Sequence, residues 1–191
     1  MDCPLYKQLT SFVKTDQKEL SEIIRFFEKR SIGKKEDILE MGGKCDAMYF
    51  VEKGCLYLYT VDDAGNEKTI QFAIENWWLS DVLAFRNQTR SQFGIRAALK
   101  SEVLEISYPS YQGLLANHPV MEEYFRKVYE IAFGAALMRF KFLFTHSKED
   151  IYHHFNDNFP DFVNRVPQYL LASYLNLTPE YLSQIRKKAT S

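Results

Sequence analysis

The stretch from Pro167 to Lys188, Pro-Gln-Tyr-Leu-Leu-Ala-Ser-Tyr-Leu-Asn-Leu-Thr-Pro-Glu-Tyr-Leu-Ser-Gln-Ile-Arg-Lys-Lys, constrains the fold more tightly than any other part of this chain. Leu171, Leu175, Leu177, Leu182 and Ile185 fall where two short helices packed across each other need apolar residues. Ala172 is small where the two backbones come close. Asn176 stands at the intervening turn, where positive φ is cheap only for Gly, Asn or Asp. Thr178 can cap the second helix, and Pro179 suits its first turn. An αα-hairpin packed into a core shares this pattern with a helix-turn-helix unit, whose second helix enters the DNA major groove. Small residue, turn residue, cap and apolar positions all at their required offsets favour the second.

Charge agrees. Between Arg165 and Ser191 the basic residues are Arg165, Arg186, Lys187 and Lys188, against the single acid Glu180, whereas the chain as a whole carries −1. A positive tip on a slightly acidic body turns that tip toward phosphates. Basic residues near a helix C-terminus also favour the macrodipole.

From Ile32 to Ile106 short apolar pieces alternate with turn signals, the pattern of an all-β segment. The predicted strands are Asp37–Glu40, Ala47–Lys53, Cys55–Val61, Glu67–Ala73, Phe93–Ala98 and Glu102–Ile106, with turns at Gly42-Gly43, Lys53-Gly54 and Asp62–Asn66. Many short strands close in sequence predict a jelly-roll-like antiparallel barrel. Before it, Leu20, Ile23, Ile24 and Phe27 follow helical spacing, and Asp16 with Glu19 forms a capping pattern. These predict an amphipathic helix over Asp16–Lys29 that lids the barrel.

After Ser107 helices take over. A short one is predicted over Ser110–Asn117, then a long one from Val120 to about Thr145. In the long helix Tyr124, Val128, Ile131, Ala135, Met138 and Phe142 are spaced 4, 3, 4, 3, 4, which is a coiled-coil seam. Phe125, Ala132, Phe133, Phe140 and Phe144 extend the apolar surface beyond that seam. A helix with two apolar faces needs two partners, and a symmetric homodimer through this helix is the economical solution.

Several chemistries are excluded. From Ile32 to Ile106 there is no His, so the barrel cannot hold a His-rich metal site. No Gly-x-Ser-x-Gly elbow or Gly-rich phosphate loop is present, and no enzyme activity is expected. Cys3, Cys45 and Cys55 are odd in number and widely spaced, which reads as free thiols in a reducing cytosol. The N-terminus lacks the shape of a signal peptide, and no apolar run spans a bilayer, so a cytoplasmic protein without a membrane partner is expected.

Three local matches stand in order along the chain: Ala47-Met-Tyr-Phe-Val-Glu-Lys-Gly54, the Asp63-Ala-Gly65 turn followed by Glu67-Lys-Thr-Ile70, and the helix-turn-helix. With a leading amphipathic helix and a long helix between barrel and helix-turn-helix, the chain resembles the catabolite-activator and fumarate–nitrate regulator (Crp/Fnr) family of bacterial transcription factors. The resemblance implies an α+β fold with an N-terminal jelly-roll β-barrel of the cyclic-nucleotide-binding type, a dimerisation helix and a C-terminal helix-turn-helix. Boundaries are expected at 1–117, 118–146 and 147–191. It further implies a homodimer on a double-stranded DNA operator, with RNA polymerase as a further candidate partner. The alternative is a cyclic-nucleotide- or small-ligand-binding signalling module that acts through protein contacts.

Departures from the family pattern concern the effector. Cyclic-nucleotide-binding members carry a Gly-Glu-x-Ala step and an Arg-Ser or Arg-Thr pair six residues before an Ala. Here the first step reads Trp77-Trp78-Leu79-Ser80-Asp81-Val82, with Asp81 one methylene shorter than Glu and Ser80 adding a Cβ. Arg90-Ser91 resembles the phosphate pair, but six residues before Ala97 stands Ser91. Trp78, Ser80, Asp81, Arg90 and Ser91 are therefore the candidate ligand residues of a barrel not tuned for cyclic AMP. Trp77, Trp78 and Phe85 either line an apolar entrance or pack the core. The N-terminal Cys cluster of oxygen-sensing members is reduced to Cys3, and of the histidines that haem-binding members would need, His118, His146, His153 and His154, the adjacent His153-His154 pair reads as solvated surface residues, so no cofactor is expected. At the other end, the family pattern places base reading on Pro179, Glu180 and Gln184. Thr178, Ser183, Arg186 and Lys187 fall to phosphates, and Tyr181 to packing or a backbone contact.

Overall fold

The computed structural model describes residues 3–189. Two short helices, α1 (Pro4–Phe12) and α2 (Gln17–Ile23), precede the strands β1 (Glu28–Ile32), β2 (Asp37–Leu39), β3 (Ala47–Lys53), β4 (Leu56–Val61), β5 (Glu67–Ala73), β6 (Trp78–Leu79), β7 (Gly94–Ala97) and β8 (Ser101–Ser107). A helix α3 (Val82–Asn87) interrupts the strands after β6. The strands form two four-stranded antiparallel sheets, ordered β1-β8-β3-β6 and β2-β7-β4-β5, which make the jelly-roll. After it run α4 (Tyr108–Asn117), α5 (Val120–Thr145), α6 (Lys148–Asn158), α7 (Pro160–Arg165), α8 (Gln168–Tyr174) and α9 (Pro179–Ala189).

The helix expected over Asp16–Lys29 is only half there. Asp16 does cap it, accepting from the Glu19 N–H, but α2 stops at Ile23 and one 3-10 turn follows. Phe27 is extended (φ −110°, ψ 142°) and β1 begins at Glu28. Pairing of five consecutive residues with β8 outweighs one more helical turn, and it lets Phe27 pack on Trp78.

Two glycines have steric reasons to be glycine. Gly54, in the turn between β3 and β4, has φ +103°, and a Cβ there would stand 2.5 Å from the Lys100 carbonyl oxygen. Gly94 pairs with Tyr59 across the sheet, and a Cβ there would lie 2.3 Å from the Tyr59 ring.

Strand β4 divides two cores. Leu56 and Leu58 point inward to the main barrel core with Phe50, Ile95 and Trp78. Cys55, Tyr57 and Tyr59 point outward, and with Phe72 they join a second core supplied by α6 to α9. Side chains that alternate across a strand face opposite sides, so a strand apolar on both is covered on both.

Candidate functional site

Of the barrel positions singled out from the sequence, Asp81 and Ser91 are brought together, and their polar groups are used within the chain. Asp81 caps α3: its Oδ1 accepts from the Ala84 N–H at 3.1 Å and its Oδ2 from the Ser91 hydroxyl at 2.7 Å. Ser80 donates to the Ala47 carbonyl at 3.0 Å and lies 3.4 Å from the Cys45 sulfur. All three of Ser80, Asp81 and Ser91 are buried. Arg90 is exposed, and its Nη1 donates to the Gly42 carbonyl at 2.6 Å. Trp78 is a core residue rather than a site-lining one, which corrects the expectation for it. Its ring packs on Phe27, Phe50, Tyr124 and Phe125, and its indole N–H donates to the Tyr124 hydroxyl at 2.9 Å. Phe85 is likewise buried, between Tyr108 and Tyr111, while Trp77 is 44% exposed.

Helix α5 changes character half-way along. Met121, Tyr124 and Phe125 are buried in the chain's own core, and Val128 and Tyr129 pack against it. Tyr124 donates to the Gln8 side chain, and Lys127 donates to the Phe12 carbonyl, so this half is held by α1. The seam expected from Tyr124 onward is corrected at its start: Tyr124 is buried within the chain, because α1, which the sequence reading did not foresee, covers it, while Val128 is half-buried. Ile131, Ala135 and Met138 are exposed, and Phe142 is half-buried against His146 and His154. A second exposed stripe, Phe133, Leu137, Phe140 and Phe144, lies on the roughly opposite side of the helix.

At the C-terminal end, α8 and α9 meet at a tight turn in which Asn176 has φ +56°. The Leu177 N–H donates to the Ala172 carbonyl at 2.8 Å, and Ala172 is fully buried. Thr178 Oγ1 accepts from the Tyr181 N–H at 3.2 Å and so caps α9. Leu182 and Ile185 face inward, whereas Thr178, Pro179, Glu180, Gln184 and Lys187 are exposed and Tyr181, Ser183 and Arg186 are partly so.

This pair of helices does not hang free, for the outer face of β4 and β5 holds it. Phe72 meets Phe162 and Tyr174 edge-on, at ring separations of 5.0 and 5.2 Å. Arg165 grips Glu75 with two bonds of 2.7 and 3.1 Å, and Glu75 also accepts from the Gly54 N–H. Burial alone would raise the Glu75 carboxyl, but Arg165 and Gly54 overcome it and hold the group below its ordinary range. Ser173 accepts from the Thr69 N–H at 2.9 Å. Arg139 of α5 reaches into the same junction, donating to the Ile70 carbonyl at 2.8 Å and the Tyr174 carbonyl at 2.7 Å beneath the Tyr174 ring. Among the described residues no carboxylate balances Arg139, its Nε is buried without a partner, and burial lowers its pKa. Sequence reading missed Arg139, Glu75 and Phe72. The signal for them was the run Leu-Tyr-Leu-Tyr in β4, apolar on both faces.

The family model of the cyclic nucleotide-binding domain matches residues 29–118. Over 101 residues the chain is 28% identical to Vfr, a cAMP-activated global transcriptional regulator of Pseudomonas aeruginosa, covering 51% of this chain and 47% of Vfr. It is 24% identical over 85 residues to CRP, the cAMP-activated global transcriptional regulator of Salmonella typhimurium, covering 44% of this chain and 40% of that one. In this stretch the chain is similar to regulators of the Crp/Fnr family.

The matched stretch spans less than half the length of either relative. Its fold is shared more widely. The c-di-GMP responsive global regulator CLP of Xanthomonas campestris superposes with a TM-score of 0.68 at 16% identity, over 92% of each chain. Among the described residues, no helix is long and apolar enough to cross a membrane.

Proposed function

We propose that this protein is a DNA-binding transcriptional regulator, a cytoplasmic homodimer without catalytic activity. Residues 1–117 form its sensing part, 118–146 its dimerisation helix and 147–191 its DNA-binding part. The observation that carries this reading is the arrangement of α9. Its apolar residues Leu182 and Ile185 are buried, its first turn is capped by Thr178, and Pro179, Glu180, Gln184 and Lys187 face outward. The relatives Vfr and CRP are both named as transcriptional regulators, which supports it. Gln184 can pair bidentately with adenine, and Glu180 can accept from a cytosine amino group. Pro179 offers no fork for guanine. Thr178, Ser183, Arg186 and Lys187 set the docking register on phosphates, and RNA polymerase is a candidate partner through the resemblance.

The dimer forms along the exposed half of α5, with Ile131, Ala135 and Met138 at its centre. Two copies of α9 then read half-sites about 34 Å apart, or a multiple of that. Neither cyclic AMP nor a resident cofactor is required: Asp81 is already bonded to Ala84 and Ser91, and Arg90 to Gly42.

Selection from random DNA, followed by a salt titration of the selected site, tests the reading. A regulator gives a palindromic site whose affinity falls steeply with log salt, because neutralised phosphates release counterions. No selected sequence would leave a signalling module acting through protein contacts as the better account.

A further inference from the structure

We propose that the chain's own barrel, rather than a small effector, holds the C-terminal helices in their DNA-reading position. This rests on the DNA-binding reading above and states how that site is regulated. Three independent observations lead to it.

The first is that docking and DNA reading use different sides of the same unit. Contacts to the barrel come from Phe162 of α7, from Arg165 and from Ser173 and Tyr174 of α8. Pro179, Glu180, Gln184 and Lys187 on α9 remain exposed in the docked form. The docked form therefore presents the candidate DNA face and does not hide it.

The second is that the dock ties together three parts. Arg139 belongs to α5, the helix proposed to form the dimer, and it donates both to β5 through Ile70 and to α8 through Tyr174. Fixing α8 against both β5 and α5 fixes the position of α9 relative to the dimer axis, and so the separation of two α9 helices. A binding surface set before the partner arrives does not spend affinity on ordering itself.

The third is that the barrel positions that would respond to a cyclic nucleotide are closed by internal bonds. Both Asp81 oxygens are used, by Ala84 and by Ser91, and the Arg90 guanidinium is turned to the Gly42 carbonyl. A ligand shifts an equilibrium only through a difference in its affinity for the two states. A site that must first break its own bonds binds a nucleotide weakly, so that little ligand is held to bias either state.

The test uses the full chain, stripped of bound nucleotide and checked by absorbance. Wild type is measured against its selected operator with and without cyclic AMP or cyclic di-GMP. Two undocking variants are measured beside it: Phe72→Ala with Glu75→Gln, and the milder Glu75→Gln with Arg165→Met, which keeps every aromatic contact. Sedimentation confirms that each remains dimeric, and hydrogen exchange at the Thr69 amide, which donates to Ser173, reports the dock. The expected result is operator binding by wild type that either nucleotide changes by less than about twofold. The undocked variant should bind about tenfold more weakly, as when the docked fraction falls to about a tenth. Binding that appears only with a nucleotide overturns the inference and leaves the DNA-binding reading intact. The same holds if an undocked variant binds as tightly as wild type, or if Thr69 exchange is unchanged in both variants. Absence of any selected DNA under all conditions removes the DNA-binding reading, and the inference with it.

Discussion

The two faces of strand β4 enter cores of opposite character. Inward, Leu56 and Leu58 join a core of aliphatic and aromatic side chains in which the Trp78 N–H and the Asp81 carboxylate each have bonded partners. Outward, Tyr57, Tyr59 and Phe72 meet α6 to α9 through rings mixed with Arg139, Arg165 and Glu75. The first is how a chain packs to be stable; each buried polar group there is satisfied, and removing a side chain leaves a cavity. The second resembles an interface between domains, part apolar and part ionic, with one guanidinium nitrogen left over. The difference separates what holds the barrel together from what holds the C-terminal helices on it.

Five perturbations break or sharpen that contrast. The largest effect is expected inside. Trp78→Ala removes an indole that packs on four rings and bonds Tyr124, and should cost about 3–5 kcal/mol of unfolding free energy in urea titration. A loss under 1 kcal/mol would mean that the inner core is not the source of stability. Next comes α5, whose exposed Ile131 and Met138 belong to neither core. Ile131→Glu with Met138→Glu should give folded monomers by sedimentation, with operator affinity reduced roughly 10²–10⁴-fold as bivalence is lost. Phe144→Ser, at a position 85% exposed, should leave the dimer intact. A dimer that survives the double substitution would move the seam to Phe133, Leu137 and Phe140.

Smaller effects are expected farther out. Gln184→Ala lies outside both cores, so it should relax preference at one base pair, costing ~1–3 kcal/mol on the preferred site with the melting temperature unchanged. Identical sequence preferences for wild type and variant would show that another side chain reads that base. Smallest is Glu75→Gln, on a partly exposed pair, at about 0.2–1 kcal/mol. Because the folded Glu75 carboxyl is held below its unfolded value, its contribution is present above that unfolded value. It disappears as the pH falls through the lower folded value. Stability-versus-pH curves of wild type and Glu75→Gln should therefore converge in acid and separate toward neutrality; parallel curves would exclude Glu75 as a pH-dependent clamp.

The contrast also marks where the sequence was legible. Periodicity located α5 at Val120–Thr145, and turn chemistry located Asn176 and the Thr178 cap, because both signals are local. The departures at Ser80, Asp81 and Arg90 were legible as departures, but their internal bonding was not. Asp81 meets Ser91 and Arg90 meets Gly42 only once the barrel closes. Tyr124 fits a dimer seam by spacing alone, yet α1 covers it. Phe27 fits a helix by spacing, yet pairing with β8 draws the chain into a strand.

Spacing, turn residues and charge by themselves determined that helices flank a barrel, that the last two helices cross at a tight turn, and that the tip is basic. Each of these depends on neighbours within a few residues, where the backbone's allowed conformations do the selecting. Only the tertiary structure decided which side of an apolar helix packs into its own chain and which is left exposed. It alone put Arg139, Glu75, Arg165 and Phe72 at one junction. These contacts join residues 35 to 102 positions apart. Such contacts depend on closure of the whole chain, and local spacing carries no record of them.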